Sequence, residues 1–280
     1  MDDRASGRLE TASTSAPPSS EGITLKSPQE LECVWSAGRI VAQLLVRLQE
    51  AVRPGIHTRE LDHLAAVMLR DAGAQATFKG YRGFPAHICV SLNQEVVHGI
   101  PGERALREGD IVKIDAGATV DGLIADAAIT IPVGQITPEA QELIEVTRKA
   151  LDVGVQAAVA GARVGDIGAA IQRFVEPRGY SVVRQYVGHG VGRSLHEEPQ
   201  IPNYGEPGRG PLLRPGMVIA IEPMVNMGGW QTRVLDDDWT VVTADGSLSA
   251  HFEHTIAITA EGPQVLTALE NHPAEGRQRS

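Results

Sequence analysis

Ile111-Val112-Lys113-Ile114-Asp115-Ala116 and Leu123-Ile124-Ala125-Asp126-Ala127-Ala128-Ile129-Thr130-Ile131-Pro132 are two apolar runs flanking an Asp121-Gly122 step. Asp-Gly between strand-like runs is a hairpin signal, because both turn residues must take positive φ. The reading is therefore a hairpin of 111–116 against 123–132. Asp115 and Asp126 are 11 positions apart. Residues paired across a two-residue turn have an odd separation, so both aspartates fall on one face of the sheet. They are directly opposite or one diagonal step apart. Like charges there repel, so an apolar hairpin keeps both only with a cation nearby, or as solvated residues at a strand edge.

Three more residues share this character. His189 lies in Gly188-His189-Gly190-Val191-Gly192-Arg193, where glycine permits close backbone approach around an imidazole. Glu222 closes the apolar run Ile219-Ala220-Ile221, and Glu253 opens Glu253-His254-Thr255-Ile256-Ala257-Ile258. Singly, each also fits a blander account: a solvated histidine in a Gly-rich turn, or a salt-bridged core glutamate. Together, four carboxylates and one imidazole are the oxygen and nitrogen donors that divalent metals take. Two divalent ions bring about +4 against about −4 from the acids, and bound metal lowers the pKa of water. The set reads as a dinuclear metallohydrolase with a hydroxide nucleophile.

Around this centre the chain organises as a mixed α+β protein. Residues 1–22 are rich in Ser, Thr, Pro and Glu, with Ala16-Pro17-Pro18-Ser19-Ser20 among them, and are predicted to be a disordered tail. A single catalytic domain is predicted for 23–270, and a frayed terminus for 271–280. Ser27-Pro28-Gln29-Glu30 is a capping box that opens a helix to about Val52, before Pro54-Gly55. Thr58 is expected to cap a second helix to about Asp71. A strand is predicted at 87–92, a helix from Thr137-Pro138 to about Ala160, and another from about Asp166 to Glu176. Short strands are expected near 181–186, 217–222, 239–243 and 250–259. Gly55-Ile56-His57-Thr58-Arg59-Glu60-Leu61 is echoed by Gly161-Ala162-Arg163-Val164-Gly165-Asp166-Ile167 at an offset of 106. That echo is either an internal repeat or a chance match of helix grammar.

Composition narrows the class. Of 280 residues 42% are hydrophobic, enough for a full core, and no run of 18 apolar residues suggests a membrane helix. The formal charge of −10 argues against general nucleic-acid binding. Two cysteines, Cys33 and Cys89, point to a reduced, cytoplasmic protein rather than a disulfide framework. No segment reads as a coiled coil or an exposed sheet edge, so a monomer is expected.

These motifs resemble the methionine aminopeptidases, on the type I, bacterial-like branch. The resemblance runs from Ile23 to about Leu269. It is carried by Asn93-Gln94-Glu95-Val96-Val97-His98-Gly99-Ile100-Pro101, by Ile114-Asp115 to Asp126, and by Gly188 to Pro199. Ile221-Glu222-Pro223-Met224 and Ser247 to Thr255 complete it. It implies the pita-bread α+β fold, two pseudo-two-fold halves with antiparallel strands and outer helices. It implies two divalent ions (Co, Mn, Fe or Zn) held by Asp115, Asp126, His189, Glu222 and Glu253, with Asp126 and Glu253 bridging. Glu222 would also shuttle a proton, with His98 near the scissile amide and His196 near the carbonyl. Tyr81, Phe84, Cys89, His98 and Trp239 would line a methionine slot, with Cys89 a soft wall rather than a nucleophile. The implied partners are nascent polypeptide N-termini and, through them, the ribosome. Leu195, Gly117 and Ala127 depart from the family pattern: Leu195 where an aromatic residue is common, the others where hydroxyl residues are common. An X-Pro aminopeptidase is the nearest enzyme alternative, although such relatives usually carry a large N-terminal domain. A non-catalytic peptide-binding module of the same fold is the other, although such modules have typically lost metal ligands.

Overall fold

The structure, a computed structural model, describes residues 22–269. The tail predicted for 1–22, apart from Gly22, and the terminus predicted for 271–280 lie outside the described residues.

Four α-helices form: α1 Pro28–Ala51, α2 Thr58–Asp71, α3 Pro138–Ala157 and α4 Val164–Val175. The capping box at α1 is present. Ser27 Oγ accepts from the Glu30 N–H at 3.3 Å, and a Glu30 carboxylate oxygen accepts from the Ser27 N–H at 2.8 Å. The buried face of α1 (Val34, Ala37, Val41, Leu44, Leu45, Leu48) follows the three-to-four spacing of an amphipathic helix. The expectation at Thr58 needs correcting. His57 is the N-cap of α2, and its N–H is bonded by the Glu60 carboxylate at 2.8 Å. The Thr58 hydroxyl instead donates to the Gly102 carbonyl and accepts from the Gly102 N–H, so it is not free to cap.

Fifteen strands also form among the described residues. The first five are β1 Gln75–Ala76, β2 Ile88–Leu92, β3 Glu95–Val97, β4 Ile111–Val120 and β5 Leu123–Pro132. The next five are β6 Ser181–Val182, β7 Gly188–Gly190, β8 Glu197–Ile201, β9 Val218–Ile221 and β10 Met224–Asn226. The last are β11 Thr232–Val234, β12 Val241–Thr243, β13 Ser249–His251, β14 Glu253–Ile258 and β15 Pro263–Val265. Nine form one antiparallel sheet ordered β1-β4-β5-β14-β9-β7-β8, with β2 also on β4 and β15 on β14. Two three-stranded sheets, β13-β10-β6 and β11-β12-β3, flank it.

The hairpin forms as its sequence dictates. Val120 pairs with Leu123 around Asp121 (φ 50°) and Gly122 (φ 77°), both in the left-handed region a tight hairpin needs. Val112, Ile114, Ala116 and Ala118 of β4 pack into one core with α1 and α2. Asp115 and Gly117 therefore face the other way. A second core joins α3 and α4 to Ile219, Ile221, Ile256 and Ile258 of β9 and β14.

The internal echo is structural. His57 bridges Ala105, and Arg163 bridges Leu212. The Glu60 carboxylate accepts from the His57 N–H just as Asp166 accepts from the Arg163 N–H. Gly55 N–H donates to the Leu106 carbonyl, and Gly161 N–H donates to that of Leu213. Both halves thus use one device to start the second helix of a pair, and the sheet runs across their junction.

Candidate active site

Of the five predicted ligands, Asp126, His189 and Glu253 come together where the two halves join, with Glu222 beside His189 and Asp115 on the strand next to Asp126. β4 and β5 supply Asp115, opposite Ala128, and Asp126, opposite Gly117. β14 pairs with the other edge of β5 and sets Glu253 opposite the same Ala128. Glu222 directly follows β9, whose Ile221 pairs with His254 of β14. His189 sits in the middle of β7, so the Gly-rich segment is a short strand rather than a turn. The flanking glycines are required by crowding. A Cβ on Gly188 would lie 2.3 Å from the Ala220 carbonyl oxygen, and one on Gly190 2.2 Å from that of Glu198.

Asp126, His189 and Glu253 each offer a donor atom within 4.8 Å of the others, and all three are buried. His189 Nε2 is 3.6 Å from Asp126 Oδ2 and 3.6 Å from Glu222 Oε1. Its Nδ1 faces the Gly190 carbonyl at 3.0 Å. The ring proton therefore belongs on Nδ1, and Nε2 presents a lone pair to the acids, the arrangement of a metal-ligating histidine. Asp115 Oδ1 is a buried oxygen with no hydrogen-bond partner among the described residues.

Electrostatics say that something positive is needed here. Burial and the neighbouring carboxylates push Asp115, Glu222 and Glu253 well above the ordinary carboxylate range. Burial lifts Asp126 to about 6, against the opposing hydrogen bond from Thr255. No lysine or arginine pairs with these acids among the described residues; their ion-pair neighbours are His189 and His251. Burial holds those imidazoles far below their usual pKa, His189 at about 4 and His251 at about 3, so both are neutral near pH 7. Clustered anions without a cation are costly to bury. An orphaned carboxylate oxygen, four oxygen-donor acids and a correctly protonated imidazole fit divalent metal ions.

Beside the acids lies an apolar wall. Phe84 and Cys89 are buried in the first core, and Tyr81 and Trp239 pack against it. Phe84 meets Trp239 edge-on at 5.0 Å, and His98 meets Trp239 edge-on at 6.3 Å. Cys89 pairs with Asp115 across β2 and β4. Burial, then the charges of Asp115 and Glu253, raise its thiol pKa, so it stays a protonated wall residue. His196 meets His189 edge-on at 4.4 Å, and its Nδ1 is 2.6 Å from the Tyr81 hydroxyl. Tyr81 thus holds a histidine as well as bordering the wall. Burial lowers both His98 and His196 to about 4.

Three groups at the site escaped the sequence reading. The Thr255 hydroxyl touches Asp126 Oδ1 at 2.9 Å and accepts from the Asp126 N–H at 3.0 Å. His251 Nε2 lies 3.7 Å from Glu222 Oε2. Tyr186 lies 5.8 Å edge-on from His98. His251, Glu253 and Thr255 alternate along the chain, and that period-2 signal could have found the first and last. The departures also gain an explanation. Ala127 is in the core with α1, on the face away from the acids, where a hydroxyl could not reach them. A Cβ on Gly117 would lie 2.9 Å from Phe78 Cε1, so Phe78 and Thr77 fill that position instead. Leu195 is buried in the first core.

The chain's residues 32–260 match the model of metallopeptidase family M24. It is 54% identical to methionine aminopeptidase 1 of Bacillus subtilis over 247 residues, 88% of this chain and 100% of that one. It is 50% identical to a methionine aminopeptidase of Clostridium perfringens over 248 residues, 89% of this chain and all of that one. The crystal structure of methionine aminopeptidase from Thermotoga maritima superposes with a TM-score of 0.87 at 46% identity, covering 88% of this chain and 99% of that one. A prolidase from Pyrococcus furiosus shares the fold at a TM-score of 0.72 and 24% identity. With intact motifs on a pita-bread α+β frame, the chain belongs to metallopeptidase family M24, among its methionine aminopeptidases.

Proposed function

We propose that this chain removes the N-terminal methionine from peptides and nascent proteins with a small second residue. The carrying observation is the convergence of the buried Asp126 and Glu253 on a metal-ready His189, with Glu222 at 3.6 Å from the same imidazole, beside an apolar slot. Asp115, Asp126, His189, Glu222 and Glu253 would hold two divalent ions, drawn from Co, Mn, Fe and Zn. When bound, such ions lower the pKa of water towards neutrality and polarise the carbonyl under attack.

The protein's own groups do the rest. The slot of Phe84, Cys89, Trp239 and Tyr81 takes the thioether side chain, where a missing methylene costs about 1–3 kcal/mol of selectivity. Tyr81 donating to His196 Nδ1 leaves the ring proton on Nε2, ready for the oxygen of the scissile carbonyl. His98 hydrogen-bonds the amide and holds it in line. Glu222, next to the groups that would hold the metals, carries a proton to the leaving amine. Residues 23–270 act as one catalytic unit and as a monomer. Nascent chains imply the ribosome and cytoplasm as the setting. Among the described residues no helix is long and apolar enough to cross a membrane.

The test is metal-stripped protein with Met-Ala-Ser and Pro-Ala-Ser, adding Mn, Co, Fe or Zn in turn. Metal-dependent release of methionine, with the second peptide intact, is expected. Failure to bind metal would point to a peptide-binding module, two bound metals without turnover to an altered slot around Leu195, and cleavage of an added Ala-Pro-Ser peptide alone would favour an X-Pro enzyme.

A further inference from the structure

Glu222 lies between two imidazoles. Its Oε1 is 3.6 Å from His189 Nε2, and its Oε2 is 3.7 Å from His251 Nε2. The ligand set explains His189 but leaves His251 without a role. His251 is 1% exposed, and its Nε2 is a buried polar atom with no hydrogen-bond partner among the described residues. Such atoms are rare, because burying one unpaired costs free energy. The backbone of His251 is firmly held. Its N–H donates to Thr130 Oγ1 at 2.9 Å, and the same hydroxyl donates back to its carbonyl at 2.7 Å. On β13 it pairs with Met224, two residues beyond Glu222. The ring's aim at the carboxylate is thus fixed by a sheet and a side-chain clamp.

We propose that His251 is a positioning residue: its Nε2–H donates to Glu222 Oε2 and leaves Oε1 as the one oxygen Glu222 offers to metal beside His189. The inference rests on the reading of Glu222 as a metal ligand. Closing 3.7 Å to a hydrogen bond needs a movement of about 0.5–1 Å. Without the donor, both Glu222 oxygens are free, and the carboxylate can swing or chelate through both. The His189 side of the site would then lose its defined geometry. Groups that orient a ligand in this way typically matter 10–100-fold for metal affinity or activity.

Metal-stripped wild type, His251→Met, His251→Gln and Glu222→Gln would be titrated with Mn(II), reading free Mn(II) by electron paramagnetic resonance. Steady-state kcat and KM would follow. His251→Met should weaken Mn(II) binding about 10–100-fold and lower kcat more than it raises KM. His251→Gln should restore most of both, because its amide nitrogen sits where Nε2 was and still donates. Unchanged Mn(II) affinity in His251→Met, or no rescue by glutamine, overturns the proposal. Should the methionine variant not fold, nitrogen NMR of histidine in the zinc-loaded wild type decides: a proton on Nε2 of His251 supports the proposal, and one on Nδ1 overturns it. Glu222→Gln separates the two readings. If it binds Mn(II) as wild type does, the ligand assignment itself fails. If it weakens binding while His251→Met does not, only the role of His251 fails.

Discussion

Asp115 and Asp126 are diagonal neighbours on one face of the β4–β5 hairpin, Asp115 opposite Ala128 and Asp126 opposite Gly117. This offset has a chemical consequence. Ala128 stands between Asp115 on β4 and Glu253 on β14, so three acids from three adjacent strands surround one small side chain. A bulkier residue at 128 would occupy the space between the carboxylates. The hairpin therefore supplies both the charge and the room for what neutralises it.

Thr255 should tune the metal through Asp126. Its hydroxyl contacts the Asp126 carboxylate at 2.9 Å and its backbone N–H at 3.0 Å. Thr255→Val is expected to lower metal affinity or activity about 10–100-fold, and Thr255→Ser to retain it. Calorimetric metal titration of both variants checks this.

Lys26 should matter although it lies far from the acids. Its Nζ is 2.6 Å from Glu197 Oε2, with side chains 4% and 13% exposed. The other Glu197 oxygen accepts from the Arg193 and Ser194 N–H groups. Glu197 follows His196, so this pair anchors the loop that aims that ring. Lys26→Met leaves the partly buried Glu197 carboxylate without its cation, held by the Thr24 hydroxyl and the Arg193 and Ser194 N–H groups, and should cost about 1–3 kcal/mol of stability. Its kcat should fall even where the protein remains folded. Urea denaturation and steady-state kinetics measure the two effects separately.

Removing metal should give stability an unusual pH dependence. In metal-free protein the folded pKa of Asp126, about 6, lies above its unfolded value, chiefly because of burial. The stabilisation from this group is complete below about pH 4 and is lost as pH rises through 6. For Asp126 alone that is on the order of 3 kcal/mol, and the raised Asp115, Glu222 and Glu253 act in the same direction. His98, His189, His196 and His251, held at about 3 to 4, pull stability the opposite way between about pH 4 and 6.5. The contribution of the acid is therefore read by difference: chelator-treated Asp126→Asn should gain melting temperature relative to wild type as pH rises from 4 to 7, and added divalent metal should stabilise wild type most near pH 7. A difference that does not change with pH would contradict this electrostatic account.

Gly117 should resist a hydroxyl side chain despite facing the acids. Phe78 Cε1 would lie 2.9 Å and Thr77 Cβ 3.1 Å from an added Cβ. Gly117→Ser is expected to destabilise by about 1–3 kcal/mol through overpacking. Gly117→Ser combined with Phe78→Leu should recover part of that loss in thermal denaturation.

What the sequence determined was local. The Asp121-Gly122 turn, the odd pairing rule and the period of two set both aspartates on one face, because strand geometry repeats every two residues regardless of context. The capping box at Ser27 and Glu30 was equally legible, since its partners are three residues apart. The same logic misjudged Thr58, whose hydroxyl is claimed by Gly102, 44 positions away. Tertiary structure decided whatever depends on distant partners. It brought Tyr81 to His196 across 115 positions and Lys26 to Glu197 across 171. It set His251 against Glu222 and placed Phe78 where a side chain at position 117 would go. Composition and periodicity name the groups a site can use. Only the packing of two halves around one sheet fixes which lone pair faces which proton, because that depends on the relative placement of strands the chain joins through long loops.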